Sequence, residues 1–118
     1  FVLSKFGIGL FYATSDPAKI SDTVLPYSGI NEHVMNACKL VVNCAPLGMY
    51  PQTERFPDIP YKHFGPEHLA YDLIYNPTET IFLQKAREAG AATVNGLSML
   101  HLQAEKSWEI WNNNRSAV

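Results

Sequence analysis

Short apolar runs, broken by glycine, proline and polar clusters, alternate along the chain with stretches of helical period. Residues 1–7 read as the last turns of a helix stopped by Gly7, and residues 8–13 as a buried strand. Ser15-Asp16-Pro17 predicts a turn. From there to Ser28 no clear period emerges, and residues 30–37 fit one short helix. A β-favouring run at residues 39–45 stops at Pro46 and Gly48. The loop that follows carries Pro51, Pro57, Pro60 and Pro66, too many for a continuous helix.

Residues 69–75 are the next strand candidate, ending at Asn76-Pro77. Asn76 as cap, Pro77 at the first helical position and Glu79 as capping acid predict a helix starting there, with Gly90 as its left-handed stop. Residues 92–95 read as a short strand, and Gly96 turns into a final helix. In that helix Leu97, Leu100, Ala104, Trp108 and Trp111 recur at spacings of three and four, which predicts one inward face. Strands kept apart by helices or long crossovers imply an α/β fold, a mostly parallel sheet flanked by helices.

Composition narrows the class. The 118 residues are 47% hydrophobic and 17% charged, as in a soluble globular domain able to bury a core. Nine basic and eleven acidic residues are scattered without runs, so there is no electrostatic footprint for nucleic acid or an anionic membrane. No apolar stretch approaches the roughly twenty residues of a membrane span. Cys38 and Cys44, with no second pair, imply reduced thiols and a cytoplasmic setting, Cys44 being expected buried in its apolar run. His33, His63, His68 and His101 match no zinc spacing and read as solitary surface or core histidines, so no metal is expected.

In a parallel sheet, ligands collect beyond the carboxyl ends of the strands. Three such ends carry small or polar groups here: residues 43–48, 75–77 and 95–96. Gly48 and Gly96 permit close backbone approach to a flat ligand, and Met99 and Gln103, one turn apart, share a helix face above Gly96. Taken singly, each has a plainer reading: a turn glycine, a core-filling methionine, a solvated glutamine, and a Tyr75 that buries its ring and wets its hydroxyl.

Jointly they say more. Asn43-Cys44-Ala45-Pro46-Leu47-Gly48-Met49, Asp72-Leu73-Ile74-Tyr75-Asn76-Pro77 with Thr80 and Leu83, and Asn95-Gly96-Leu97-Ser98-Met99-Leu100 with Gln103-Ala104 resemble, in order and spacing, three successive motifs of shikimate dehydrogenases. The resemblance spans residues 40–111. It implies a Rossmann-like cofactor domain in an enzyme that reduces 3-dehydroshikimate to shikimate with NADPH, the substrate lying between this domain and an amino-terminal one. It places Tyr75 and Gln103 on the substrate, and Ala45, Pro46, Leu73, Gly96 and Met99 around the nicotinamide end and ribose of the cofactor. Hydride transfer needs no protein nucleophile, only two carbons held within reach and a proton for the carbonyl oxygen.

Two departures accompany the resemblance. The family's catalytic lysine and aspartate belong to the amino-terminal domain, with which nothing here aligns, and the first cofactor strand with its glycine-rich loop would precede Phe1. The expectation is therefore an incomplete Rossmann-like sheet. In this reading residues 1–118 are the carboxyl-terminal part of the cofactor domain, ending in a helix that contributes to the substrate cleft and inactive without the rest. A gap should separate the strands at residues 8–13 and 39–45, closed directly or by another chain. At the adenosine end, Thr14-Ser15-Asp16-Pro17-Ala18-Lys19 stands where NADP-using relatives carry an Asn-Arg-Thr turn and a further basic residue. Ser15 replaces the arginine and Lys19 is the remaining matching cation. Asp16 repels a 2′-phosphate yet can accept from a ribose 2′-hydroxyl, so NADP is implied with NAD as the alternative. Asp16 as a plain turn former is the simpler reading. A quinate or shikimate dehydrogenase paralogue using NAD, and a non-catalytic binding or assembly module retaining the fold, stay open.

Overall fold

The computed structural model describes residues 2–116. Helix α1 (Val2–Lys5) is closed by Gly7 at φ +71°, the left-handed stop that a glycine permits. Strand β1 (Tyr12–Thr14) pairs in parallel with β2 (Val24–Pro26), a strand that the aperiodic sequence concealed. The expected buried strand at residues 8–13 is thus corrected: it is shorter, starts later, and Ile8, Phe11 and Tyr12 are exposed. The physical reason is that β1 lies at the edge of a two-stranded sheet, pairing among the described residues with β2 alone. Between them, Asp16 accepts from the Ala18 N–H at 3.0 Å and caps a single 3-10 turn, Pro17–Lys19.

Helix α2 (Glu32–Ala37) starts where Asn31 accepts from Val34 N–H at 3.0 Å. It leads into the second sheet, β3 (Leu40–Asn43), β4 (Leu69–Asp72) and β5 (Ala92–Val94), in the order β3-β4-β5 and parallel throughout. Asn43 sits opposite Asp72 and Tyr71 opposite Val94. The proline-rich loop joins β3 to β4 and contains only one further 3-10 turn, Tyr61–His63. Among the described residues no strand joins the two sheets, so the parallel α/β architecture is present in two pieces.

Helix α3 (Ile81–Glu88) crosses from β4 to β5 and ends before Gly90 at φ +102°. Its start corrects the expected Asn76-Pro77-Glu79 cap. Thr80 is the cap, its hydroxyl accepting from Leu83 N–H at 3.3 Å. Thr80 is buried and also donates to Asp72, whereas Asn76 is exposed; Glu79 instead pairs with Arg87 at 2.7 Å.

Residues of β4 alternate, so Ala70 and Asp72 share the face that α3 covers. There Ala70 packs with Phe82, Leu83 and Ala86 from α3, Met35 from α2, and Phe64 and Ala91 from the adjoining loops. Phe64 and Phe82 meet edge to face with ring centres 6.4 Å apart. Tyr61 stacks on Phe64 and donates its hydroxyl to the Pro57 carbonyl at 2.7 Å; burial, then the nearby Tyr27, Asp58 and Asp72, push its ionisation above the ordinary tyrosine range. His68 is the solitary core histidine expected of it. Its Nδ1 accepts from Gly65 N–H at 2.9 Å, so Nε2 carries the proton and donates to the Met35 carbonyl at 2.7 Å.

Helix α4 (Leu97–Ser116) departs from expectation more sharply. The stripe through Leu97, Leu100, Trp108 and Trp111 does not pack inward, and the two tryptophans are 68% and 66% exposed. Leu102 and Ile110 also lie exposed off that stripe, so the helix is apolar on several sides and no described element covers it. Cys44 is corrected likewise: β3 turns Asn43 inward, and alternation sends the next side chain out, leaving the thiol exposed. No helix among the described residues is long and apolar enough to cross a membrane.

Burial decides the expected response to mutation. Phe82→Ala should lower the unfolding free energy by about 3–5 kcal/mol, while Trp108→Ala should change it by less than about 0.5 kcal/mol, both read from urea unfolding of the isolated chain. Equal losses at both positions would contradict this core.

Candidate functional site

The carboxyl ends of β3 and β4 open into one cavity of about 440 Å³. Both ends are set by a single buried side chain. Asp72, last in β4 and 0% exposed, accepts from Asn43 Nδ2 at 3.2 and 3.3 Å, from Thr80 Oγ1 at 2.6 Å and from the Ile74 N–H at 3.0 Å. Every partner is a donor, as the two oxygens of a carboxylate require. Asn43 in turn accepts from the Ala45 N–H at 3.2 Å, so its one amide links the Asp72 carboxylate to the loop after β3. Among the described residues no buried side-chain polar atom lacks a partner.

The cavity between these loops is mostly apolar. Ala45, Pro46, Leu73 and Tyr75, all singled out from the sequence, line it. Tyr75 is 47% exposed at the cavity. Cys44, Met49, Tyr50, Ile74 and Asn76 complete the lining and were not singled out as ligand contacts. Their signal was already in the sequence: Cys44, Met49, Ile74 and Asn76 are members of the first two motifs, and Tyr50 directly follows the first. Tyr50 N–H donates to the Asn76 carbonyl at 3.2 Å, which ties the two walls together. Gly48, at φ +95°, packs against the Arg55 carbonyl, an approach that a side chain would obstruct.

The third motif meets the site through its backbone. Gly96 N–H donates to the Ile74 carbonyl at 3.1 Å, and a Cβ on Gly96 would collide with the Leu73 carbonyl. Asn95 accepts from Leu97 N–H at 3.1 Å and donates to the Thr78 carbonyl at 3.0 Å, fastening the start of α4 to the loop between β4 and α3. Met99 and Gln103, farther along α4, are exposed and are not among the cavity-lining residues. Asp16 and Lys19 lie on the other sheet's turn, their charged groups 4.0 Å apart. Ser15 borders a second hollow of about 350 Å³ with Glu54, Arg55 and Asp58, so charge of both signs surrounds that position.

A mostly apolar hollow of this volume with a few polar groups has the character of a small-molecule site. No cluster of three or more histidine, cysteine, aspartate or glutamate side chains among the described residues could hold a metal ion. Tight backbone packing makes Gly96 the sensitive point. Gly96→Ala should destabilise the chain by about 1–3 kcal/mol and displace the start of α4, visible as new amide chemical shifts at Leu73 and Ile74. A fully native spectrum would refute the close approach.

No family model matches the chain. It is 44% identical over 86 residues to a shikimate dehydrogenase (NADP(+)) of Methanococcus aeolicus, an alignment covering 72% of this chain and 31% of that protein. The chain therefore spans about a third of the length of this curated relative. Among solved structures, the shikimate dehydrogenase of Aquifex aeolicus superposes with a TM-score of 0.71 at 30% identity, over 94% of this chain and 42% of its own. A Listeria monocytogenes shikimate 5-dehydrogenase, solved in complex with shikimate and NAD, gives 0.69 at 27% identity, over 76% and 32%. These relatives share the parallel α/β, Rossmann-like arrangement of strands and helices. In sequence and in fold, the chain belongs to the shikimate dehydrogenase family, matching its carboxyl-terminal part.

Proposed function

We propose that this chain is the carboxyl-terminal part of the cofactor domain of an enzyme that reduces 3-dehydroshikimate to shikimate with NADPH in the cytoplasm. One observation carries the reading: two motifs far apart in sequence line one cavity at adjacent strand ends, and the third abuts it through Gly96. Ala45, Pro46 and Leu73 offer a nicotinamide ring apolar contact, and Gly96, packed on the Leu73 carbonyl, brings the start of α4 against that wall. The cofactor would supply the hydride. Tyr75 hydrogen-bonds the hydroxyl groups of the substrate at the rim, Gln103 does the same from α4, and Met99 borders the cofactor. Proton supply and closure of the substrate cleft come from an amino-terminal domain, so residues 1–118 alone are inactive.

In the full-length protein, Tyr75→Phe and Gln103→Ala should each raise the KM for 3-dehydroshikimate about tenfold, the scale of one lost hydrogen bond, and leave the KM for NADPH within about twofold. Unchanged KM for the substrate in both variants would remove these residues from the site.

One feature, the Ser15-Asp16 turn, speaks for NAD as the alternative cofactor. Ser15 offers no cation, and Asp16 keeps Lys19 at 4.0 Å, where the ammonium is already partnered. Asp16 also caps its turn, which supports the simpler structural reading of the same residue. Asp16→Arg should raise the ratio of kcat/KM for NADPH to that for NADH by about tenfold, as one charge-assisted hydrogen bond to a 2′-phosphate would. An unchanged ratio would restrict Asp16 to its role in the turn.

A further inference from the structure

The two walls of the cavity hang from opposite sides of one carboxylate. On one side, Asn43 Nδ2 donates to both Asp72 oxygens while Asn43 Oδ1 accepts from Ala45 N–H, which orients the peptide that enters the Ala45-Pro46 wall. On the other, the Ile74 N–H donates to Asp72 Oδ1 and orients the Leu73-to-Tyr75 wall. Thr80 Oγ1, at 2.6 Å from Oδ2, anchors the same carboxylate to the start of α3. Asp72 touches none of the cavity itself, since it is fully buried and absent from the lining.

We propose that Asp72 is a positioning residue for the cofactor pocket, holding the loops after β3 and β4 in register through the Asn43 amide and the Ile74 N–H. The inference rests on the nicotinamide-cofactor reading of the cavity and deepens it. Its chemistry is directional. A carboxylate at position 72 takes only donors, and the amide at position 43 both gives to it and receives from Ala45. Replacing Asn43 by aspartate sets two carboxylates about 3 Å apart, close enough for repulsion to push the loops apart. Exchanging the two residues, Asn43→Asp with Asp72→Asn, restores a donor facing an acceptor across the same gap. It also keeps an acceptor for both the Ala45 and the Ile74 N–H, while the Thr80 hydroxyl, which can accept as well as donate, turns to receive from the amide at position 72.

The test uses the full-length protein, with wild type, Asn43→Asp and the exchanged double variant compared well below their measured unfolding temperatures. Amide hydrogen exchange at Ala45 and Ile74 should be at least tenfold faster in Asn43→Asp and return to within threefold of wild type in the exchange. NADPH affinity, followed by its fluorescence on binding, should fall and recover in parallel. A merely structural role predicts that the two substitutions add, leaving the exchange worse than Asn43→Asp alone, and that result overturns the proposal. Unchanged exchange at both amides in Asn43→Asp overturns it as well. The exchange readout requires no ligand, so loops that loosen and recover in a protein that never binds NADPH would support the positioning by Asp72 and sink only the cofactor reading.

Discussion

Burying a carboxylate is costly unless all its oxygens find donors, and that constraint organises the second half of this chain. Asp72 satisfies it by drawing on three different segments: the end of β3 through Asn43, its own continuing loop through Ile74, and the start of α3 through Thr80. None of these donors can shift alone without leaving a buried group unpaired. The strand ends, the helix start and the loops that wall the cavity are therefore held to one geometry, whereas an apolar contact at the same place would tolerate sliding.

Around that anchor the remaining parts follow from packing. Ala70 lies on the same face of β4, small enough to let Phe82 and Ala86 of α3 approach the sheet, and the aromatic cluster of Tyr61, Phe64 and Phe82 fills the space beneath the proline-rich loop. Gly96 extends the constraint to α4, because its backbone lies against the Leu73 carbonyl. Beyond its first turn, α4 is held by nothing comparable among the described residues, and its tryptophans stay in solvent. The contrast shows where the stability of this chain resides: in β3-β4-β5 with α2 and α3, not in the terminal helix or in the small β1-β2 sheet.

Local chemistry made several elements legible from sequence. Gly7 and Gly90 announce left-handed stops because few other residues take positive φ without strain, and both do so here. The β-favouring runs at β3, β4 and β5 are flanked by unambiguous breakers, so their existence, though not their ends, could be read directly. The errors share a cause. Asn76-Pro77 satisfies every local rule for a helix start, but Thr80 prevails because its hydroxyl also completes the bonding of Asp72, a partner eight residues earlier in another element. Cys44 was misjudged because an apolar run does not reveal which of its alternate side chains faces the core.

The motif residues of the candidate site were likewise visible in the sequence, and four of them line the cavity; that Met99 and Gln103 stand apart from it could not be read there. By itself the sequence determined the alternation of strand and helix, the parallel class, the turn glycines and the kinship with shikimate dehydrogenases, because each depends on residue type at short range or on motif order. Only the tertiary structure decided the strand register, the true start of α3, the separation into two sheets and the network around Asp72. Those depend on which distant donors a buried carboxylate meets and on which faces find something to pack against, and neither is encoded in local spacing.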